Sequence, residues 1–302
     1  MKRLGLFALV AVCFACSGTA YGQTLKVLVT NDDGITAEGI SALVSELIAN
    51  PNLDVTVIAP ATNQSGTGDN LTLPPNQIGV SAGTTAAGYG GKQVTGYPAD
   101  TVMFGIREFL PAPPDIVVSG INFGQNITRD VAAELSGTVG AALTAGRLGI
   151  PGIAVSQGFG TPMDYTKAAK YVANVVEDMR TKPRLPKKMT SKSGRNQRIV
   201  LNINFPTCSA GTLRGVEVVP LAELTTVTEY ALQSDNGTTK MYKAVVQSGN
   251  AFASDCTSTL EDPADDLEAM NNGFAAVTAL NPDLTVDSKL SRFRFLKKIP
   301  FE

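Results

Sequence analysis

The hydrophobic positions of the chain follow two alternating patterns, short apolar runs and longer stretches with apolar residues three and four positions apart. Apolar runs typical of buried strands cover residues 25–30, 54–59, 92–95, 115–119, 153–156 and 198–204. Helical spacing appears in the stretches "AEGISALVSELIAN", "ADTVMFGIREFL" and "DYTKAAKYVANVVEDM". This alternation predicts an α/β fold, a Rossmann-like three-layer α/β/α sandwich around a mostly parallel sheet.

The pattern changes beyond residue 204. Two strand-like stretches, "VEVVPL" and "KMYKAVVQ", are separated by the turn-rich "SDNGTTK". They predict an antiparallel β-hairpin extension within about residues 205–260 of the chain. A third stretch, "SAGTTAAGYGG" at residues 81–91, is rich in small residues, and we expect a flexible loop there.

The first 22 residues have the organisation of an export signal. A basic start with Lys2 and Arg3 precedes an apolar run over residues 4–15, and small residues surround Gly22. We therefore predict a signal peptide at residues 1–22, one mature domain at 23–302, and a periplasmic or secreted location. A membrane anchor is the alternative, but its apolar run should reach roughly 20 residues, so we expect no membrane partner. A lipoprotein signal is less favoured, because Cys13 and Cys16 lack the usual small-residue context.

Composition narrows the possible chemistry. The chain has 302 residues, of which 43% are hydrophobic and 17% charged, as in soluble globular proteins. Removing Lys2 and Arg3 from the 25 basic residues leaves 23 against 27 acidic residues, so we expect no nucleic acid duplex as partner. The basic stretch 180–198 is interpreted as a solvated loop, with anion steering as the alternative. The chain has no histidine, which excludes histidine-based triads, phosphohistidine and imidazole metal ligands.

Polar residues gather after the predicted strands, where open α/β sheets bind ligands. Three such loops are "NDDG" (31–34), "PATNQSG" (60–66) and "SGINFGQN" (119–126). Their carboxylate, hydroxyl and amide oxygens suit a hard divalent cation such as Mg²⁺, Mn²⁺ or Ca²⁺. A bound cation would also offset the repulsion between Asp32 and Asp33. The alternative for "NDDG" alone is a tight turn followed by a helix cap.

A fourth polar element begins an alanine-rich helix. In "SGTVGAALTAGRLG", Ser136 and Thr138 stand at the predicted helix start, where hydroxyls and backbone N–H groups form an anion site. An ordinary N-cap is the alternative. Beside a cation, phosphate is the natural ligand of such a helix start.

Eight motifs occur in order along the chain: "LVTNDDGITAEGI", "VIAPATNQSG" with "LTL" behind it, "GYPADTV", "PDIVVSGINFGQN", "SGTVGAA", "LGIPGIAVS", "LNINFP" and "DDLEAMNNGFAAVTAL". This series resembles the SurE family of stationary-phase survival proteins, which are metal-dependent 5′/3′-nucleotidases and acid phosphatases. The resemblance covers residues from about 25 to 284, nearly the whole predicted mature chain.

The resemblance implies the roles of particular residues. Matching the motifs one by one places the metal ligands at Asp32, Asp33, Ser65 and Asn122, the same residues that the sheet-edge argument collects. It further implies that Asn126, Ser136 and Thr138 line a phosphate pocket. The chain departs from the family between Asn126 and Ser136, where the loop is two residues longer than usual and Leu135 replaces a common tyrosine.

We therefore expect a phosphomonoesterase that hydrolyses nucleoside monophosphates with one divalent cation, Mg²⁺ or Mn²⁺. Asp32 is expected to orient or deprotonate the attacking water, because no histidine is available. The substrate would be a small phosphomonoester, and the assembly a homodimer or homotetramer. The alternative function is a secreted nucleotide- or metal-binding protein with little or no turnover.

Two cysteines remain after the predicted signal, Cys208 and Cys256. In an oxidising compartment we expect them to form a disulfide at the base of the hairpin extension. A competing interpretation uses "CSAGTLR", in which Cys208 and Arg214 have the C-x5-R spacing of cysteine-dependent phosphatases. It is less favoured, because a strand rather than a helix is predicted after Arg214.

Overall fold

The computed structural model describes residues 24–182, 189–190, 196–223, 227–246 and 254–282, so the predicted signal peptide and most of the basic stretch 180–198 lie outside the described residues. The strands are β1 (Leu25–Thr30), β2 (Leu53–Pro60), β3 (Val80–Thr84), β4 (Gly90–Val94), β5 (Ile116–Phe123), β6 (Gly152–Gln157), β7 (Val200–Phe205), β8 (Cys208–Gly211), β9 (Val216–Val218), β10 (Val227–Asp235), β11 (Lys240–Val246), β12 (Ser254–Cys256) and β13 (Ala275–Leu280). The α-helices are α1 (Glu38–Ile48), α2 (Pro98–Phe104), α3 (Gly137–Arg147), α4 (Thr166–Thr181) and α5 (Asp266–Asn271), and two short π-helical segments cover Gly105–Phe109 and Val131–Leu135.

A nine-stranded mixed sheet forms the middle layer, in the order β3-β4-β2-β1-β5-β6-β7-β13-β9. The run from β4 to β7 is parallel, while β3 and β13 pair antiparallel with β4 and β7. The six strands predicted from apolar runs are the six parallel strands. The mostly parallel α/β fold is therefore confirmed.

Helices cover both faces of the sheet, because successive residues of its buried strands point to opposite sides. Val27 and Val29 belong to a core cluster that includes apolar residues of α1 and α4, whereas Leu28 belongs to a cluster with residues of α2 and α3. Within the described ranges, no helix combines the length and apolar character needed to cross a bilayer.

Two local predictions are wrong. Residues 81–91 are not a loop throughout, because β3 and β4 form an antiparallel pair at the sheet edge. The hairpin extension lies where it was expected, but its first strand is β10, not "VEVVPL". The latter begins with β9, which extends the main sheet beside β13. Both errors concern exposed edge strands, in which partial exposure leaves little hydrophobic pattern.

Cys208 and Cys256 form a disulfide whose Cα atoms are 5.6 Å apart, so the predicted pairing is present. It joins β8 to β12 on either side of the β10–β11 hairpin. The C-x5-R interpretation is wrong in this structure, because Cys208 has no free thiol. Arg214 instead lies over the ring of Phe274 at 4.3 Å and donates to the Asn272 carbonyl at 3.0 Å.

Candidate active site

The turn after β1 places Asp32 at the start of α3. Asn31 Nδ2 donates to the Gly34 carbonyl at 2.8 Å, and Gly34 takes a φ of 102°, a conformation that favours glycine. The Asp32 carboxylate is only 2% exposed, and its Oδ1 accepts a 2.6 Å hydrogen bond from Thr138 Oγ1. The first predicted loop and the predicted helix start therefore meet directly.

Burial dominates the electrostatics of Asp32. It raises the pKa of this carboxyl to about 6, and the neighbouring charge of Asp33 acts in the same direction. Hydrogen bonds from the side chain and backbone of Thr138 oppose the rise in pKa. Additional positive charge near Asp32 would therefore stabilise the ionised form of this carboxylate.

The start of α3 approaches Asp32 so closely that Gly137 has no room for a side chain. A Cβ atom there would lie 2.9 Å from Asp32 Cβ. Ser136 caps the helix, since its Oγ accepts from Val139 N at 3.1 Å. The N-cap interpretation of Ser136 is therefore correct, and the same helix start also faces the carboxylate.

Asp33 links the other two loops. Its Oδ2 accepts from the backbone N–H of Phe123 at 2.9 Å, and its Oδ1 accepts from Asn63 Nδ2 at 3.3 Å. Burial raises the pKa of Asp33, and the Phe123 hydrogen bond opposes this rise. The three loops predicted to meet at one sheet edge are therefore joined by this carboxylate.

Ser65 lies on the rim of the same group of loops. Its backbone N–H donates to Asn63 Oδ1 at 2.8 Å, and the preceding Gln64 N–H donates to the Asp32 carbonyl at 2.6 Å. The Ser65 side chain is exposed. The loop is thus anchored to Asp32 through its backbone, while the hydroxyl group remains at the surface.

Asn122 supplies the observation that points to a ligand. Its Nδ2 donates to the Gly124 carbonyl at 2.7 Å, which orients the amide. Its Oδ1 is buried and has no hydrogen-bond partner within the described part of the chain. A buried carbonyl oxygen without a partner is unfavourable unless something else satisfies it.

The donor set fits a hard divalent cation. Among the described residues, no group of three or more His, Cys, Asp or Glu side chains is positioned to hold a metal. A cation here would therefore combine Asp32 and Asp33 with neutral oxygens from Asn122 and Ser65. Such an all-oxygen set suits Mg²⁺ or Mn²⁺, and positive charge would stabilise the ionised forms of the buried Asp32 and the half-buried Asp33.

Comparison with known proteins agrees with this geometry. The family model described as "Survival protein SurE" matches residues 27–228. The chain belongs to the SurE family.

A relative named 5'-nucleotidase SurE from Syntrophobacter fumaroxidans is 35% identical over 262 residues, covering 86% of this chain and 95% of that protein. Another of the same name, from Parvibaculum lavamentivorans, is 41% identical over 206 residues and covers 68% of each chain. The crystal structure of the Sure protein from Aquifex aeolicus matches with a TM-score of 0.70 and 27% identity, covering 90% of this chain and 99% of that one.

Asn126 of this SurE chain is held by Asn202 and Asn204 of β7, which together form an asparagine clamp that we did not predict from the sequence. Its N–H donates to Asn204 Oδ1 at 2.7 Å, and its carbonyl accepts from Asn202 Nδ2 at 2.8 Å and Asn204 Nδ2 at 3.2 Å. Its side-chain Nδ2 donates to Ser156 Oγ at 2.8 Å. The signal was available, because "LNINFP" places asparagines at alternate positions of an otherwise apolar strand.

The long loop after Asn126 is also fixed at a distance. Asp266, fully buried at the start of α5, accepts from Thr128 N at 3.0 Å and from Ala222 N at 2.8 Å. Thr128 has a φ of 69°, and Leu135 is 48% exposed at the far end of the loop. The stretch from Asn126 to Ser136, where the sequence predicts a departure from the usual SurE loop, therefore has defined anchors, of which Asp266 was not predicted.

Proposed function

We propose that this SurE chain is a phosphomonoesterase that converts nucleoside monophosphates to nucleoside and phosphate with one divalent cation. The residues proposed to hold Mg²⁺ or Mn²⁺ are Asp32, Asp33, Ser65 and Asn122. The observation that carries the proposal is the buried, unsatisfied Asn122 Oδ1 at the loops that also carry the buried Asp32 and the half-buried Asp33. The relatives named 5'-nucleotidase SurE support the choice of substrate class.

A cation at this position would supply Lewis-acid polarisation of a phosphoryl oxygen and a bound water of lowered pKa. Asp32 holds the water and accepts its proton, since the chain has no histidine for this role. The hydrogen bond from Thr138 occupies Oδ1 of Asp32 and fixes the plane of the carboxylate. The other oxygen, Oδ2, lies close to Gly137 at the start of α3, and it is the atom proposed to accept the proton.

The start of α3 binds the phosphoryl group. Its first backbone N–H groups and the hydroxyl of Ser136 offer donors and the positive end of the helix dipole, while Thr138 gives its hydroxyl proton to Asp32 and so positions that carboxylate. Asn126, held by its asparagine clamp, is a further proposed contact of the phosphoryl group. These donors stabilise the charge that develops on the phosphoryl oxygens during transfer.

The direct test is phosphate release from adenosine 5'-monophosphate with Mn²⁺ or Mg²⁺. We expect turnover that EDTA abolishes, that added Mn²⁺ restores, and that Asp32→Asn eliminates. Asp54→Asn is a matched control. Asp54 is exposed and lies near the start of β2, opposite Lys26 of β1, so it is at the amino ends of the strands and not at their carboxyl ends. Robust activity of Asp32→Asn would contradict the proposed mechanism.

A nucleotide- or metal-binding protein without turnover is the second candidate. It is favoured only by the departure between Asn126 and Ser136, where the exposed Leu135 borders the helix start. Calorimetry separates the two functions. Tight binding of adenosine 5'-monophosphate without phosphate release under either metal would identify the binder.

We also propose export, with residues 1–22 as the signal, and assembly into a homodimer or homotetramer. The Cys208–Cys256 disulfide supports an oxidising location. Exposed apolar side chains on β10 and β11 support self-association. Cell fractionation and light scattering test the two statements separately.

A further inference from the structure

An exposed aromatic ring stands directly beside the proposed cation ligands. Phe123 follows Asn122 on β5, and its backbone N–H donates to Asp33 Oδ2 at 2.9 Å. Adjacent residues of a strand point to opposite sides, so Asn122 is buried whereas the Phe123 side chain is 54% exposed. The ring therefore belongs to the residue next to a proposed cation ligand, and it is more than half exposed.

The Phe123 ring packs against a second aromatic ring, which limits the positions open to it. Phe159, which follows β6, meets it edge-to-face with ring centroids 5.4 Å apart. The Phe159 ring packs directly on the backbone of Gly124, where a Cβ atom would lie 2.5 Å from the ring. Phe159 N also donates to the buried Gln125 Oε1 at 3.0 Å. These contacts anchor Phe159, which in turn supports the Phe123 ring from one side.

We propose that Phe123 is a stacking platform for the base of the nucleotide substrate, with Phe159 as its support. The proposal rests on the phosphomonoesterase function above, and it assigns the part of the substrate beyond the phosphate. A prepositioned ring contributes binding free energy without the loss of its own freedom. Stacking also accepts every base, because each base presents a π face. We therefore expect discrimination between substrates with and without a base, and little discrimination among bases.

The test compares adenosine 5'-monophosphate with ribose 5-phosphate, which carries the same phosphoester but no base. Wild-type protein should show the higher kcat/KM with the nucleotide. Phe123→Leu should lower kcat/KM for the nucleotide about tenfold, mainly through KM, because one base–aromatic stack is worth about 1–3 kcal/mol. The same variant should change ribose 5-phosphate hydrolysis less than about twofold, since phosphate binding does not use the ring.

Two further variants keep the result interpretable. Phe123→Tyr retains an aromatic face and should keep the wild-type preference for the nucleotide. Phe109→Leu is the matched control, because Phe109 is another exposed phenylalanine at 41%, stacked on Phe104 and close to Lys92, away from the proposed ligands. It should leave both substrates unchanged. Thermal unfolding of each variant verifies the fold.

Several results would overturn the stacking role. One is an equal kcat/KM of the wild type for both substrates, and another is an equal loss of kcat/KM for both substrates in Phe123→Leu. A third is a Phe123→Leu variant that keeps the preference for the nucleotide but changes its oligomeric state. In each case phosphate release itself would survive, so the proposed function would stand. Wild-type protein that released phosphate from neither substrate would overturn the proposed function, and the stacking role would fall with it.

Discussion

The carboxyl edge of the sheet and the β10–β11 hairpin use polar and apolar residues in opposite ways. At the edge, Asp32 and Asn122 are 2% and 7% exposed. On the hairpin, Tyr230 and Met241 are 67% and 58% exposed. The edge therefore buries groups that need a ligand, whereas the hairpin exposes groups that usually form a core.

The two regions also differ in how their backbones are held. The loops at the sheet edge are tied to one another by hydrogen bonds to Asp32 and Asp33, and the strands behind them are covered by helices. The hairpin strands β10 and β11 form a separate two-stranded sheet. We infer that small changes at the edge affect chemistry strongly, whereas changes on the hairpin affect association and leave chemistry intact.

The largest effect is expected from Gly137→Ala. A methyl group there would lie 2.9 Å from Asp32 Cβ, so α3 and the carboxylate must move apart. Displacements near 1 Å can reduce turnover about a hundredfold. We expect that loss in kcat with the circular dichroism spectrum preserved. Gly90→Ala, which would place its methyl group in open space on β4, is the control. Equal activity of the two variants would contradict the inference that small changes at the carboxyl edge of the sheet affect turnover strongly.

Thr138→Val should have a smaller effect, because it removes only the hydroxyl that donates to Asp32 Oδ1. Hydrogen bonds to charged groups are worth about 1.5–3 kcal/mol, so kcat should fall about ten- to hundredfold. Thr144→Val is matched to it, since Thr144 lies on the same helix and donates to the Gly140 carbonyl. Steady-state kinetics of the pair tests the geometry. An equal reduction in both would indicate damage to α3 instead of loss of the hydrogen bond.

The stabilisation of the folded protein by a bound cation should increase with pH. Burial raises the pKa of Asp32 from 3.8 to about 6, so the metal-free folded protein binds this proton more tightly than the unfolded chain. The contribution of this group to stability is therefore complete below about pH 4 and lost as pH rises through about 6.

A cation needs the ionised carboxylate, so Mn²⁺ should raise the thermal midpoint more at about pH 7.5 than at about pH 5, by several degrees. Differential scanning calorimetry measures both shifts. Asp32→Asn should weaken this pH difference. A larger shift at the lower pH would contradict the assignment of Asp32 as a ligand.

The smallest catalytic effect is expected on the hairpin. Leu232 and Tyr242 are cross-strand partners on β10 and β11, and both are more than half exposed. Leu232→Ser combined with Tyr242→Ser should weaken self-association in light scattering and change turnover per chain less than about twofold. A large loss of turnover would show that the hairpin takes part in the site, and the contrast between the two regions would fail.

The sequence predicted the parts that local chemistry determines. Continuous apolar runs predicted the six parallel strands, and the rule that parallel strands end at one edge brought Asp32, Asp33 and Asn122 together before any coordinates. The same rule placed "PATNQSG" beside them, as its backbone contacts with Asp32 confirm.

The missed features depend on partners distant in sequence. Asn204 holds Asn126 across 78 positions, and Asp266 holds Thr128 across 138 positions. Strand β3 consists of small residues on an exposed edge, so it carries no hydrophobic alternation. Such contacts are decided by the complete fold, because the free energy of a buried polar group depends on which donors surround it.

The proposed cation site consists of Asp32, Asp33, Ser65 and Asn122. Calorimetric titration of the metal-free protein with Mn²⁺ is its direct test. We expect one Mn²⁺ per chain, with no detectable binding in Asp33→Asn and weakened binding in Asn122→Ala. Asp54→Asn should bind like the wild type. Undiminished Mn²⁺ binding in Asp33→Asn would contradict the proposed cation site. So would one Mn²⁺ bound per chain in both Asp33→Asn and Asn122→Ala with the affinity of the wild type.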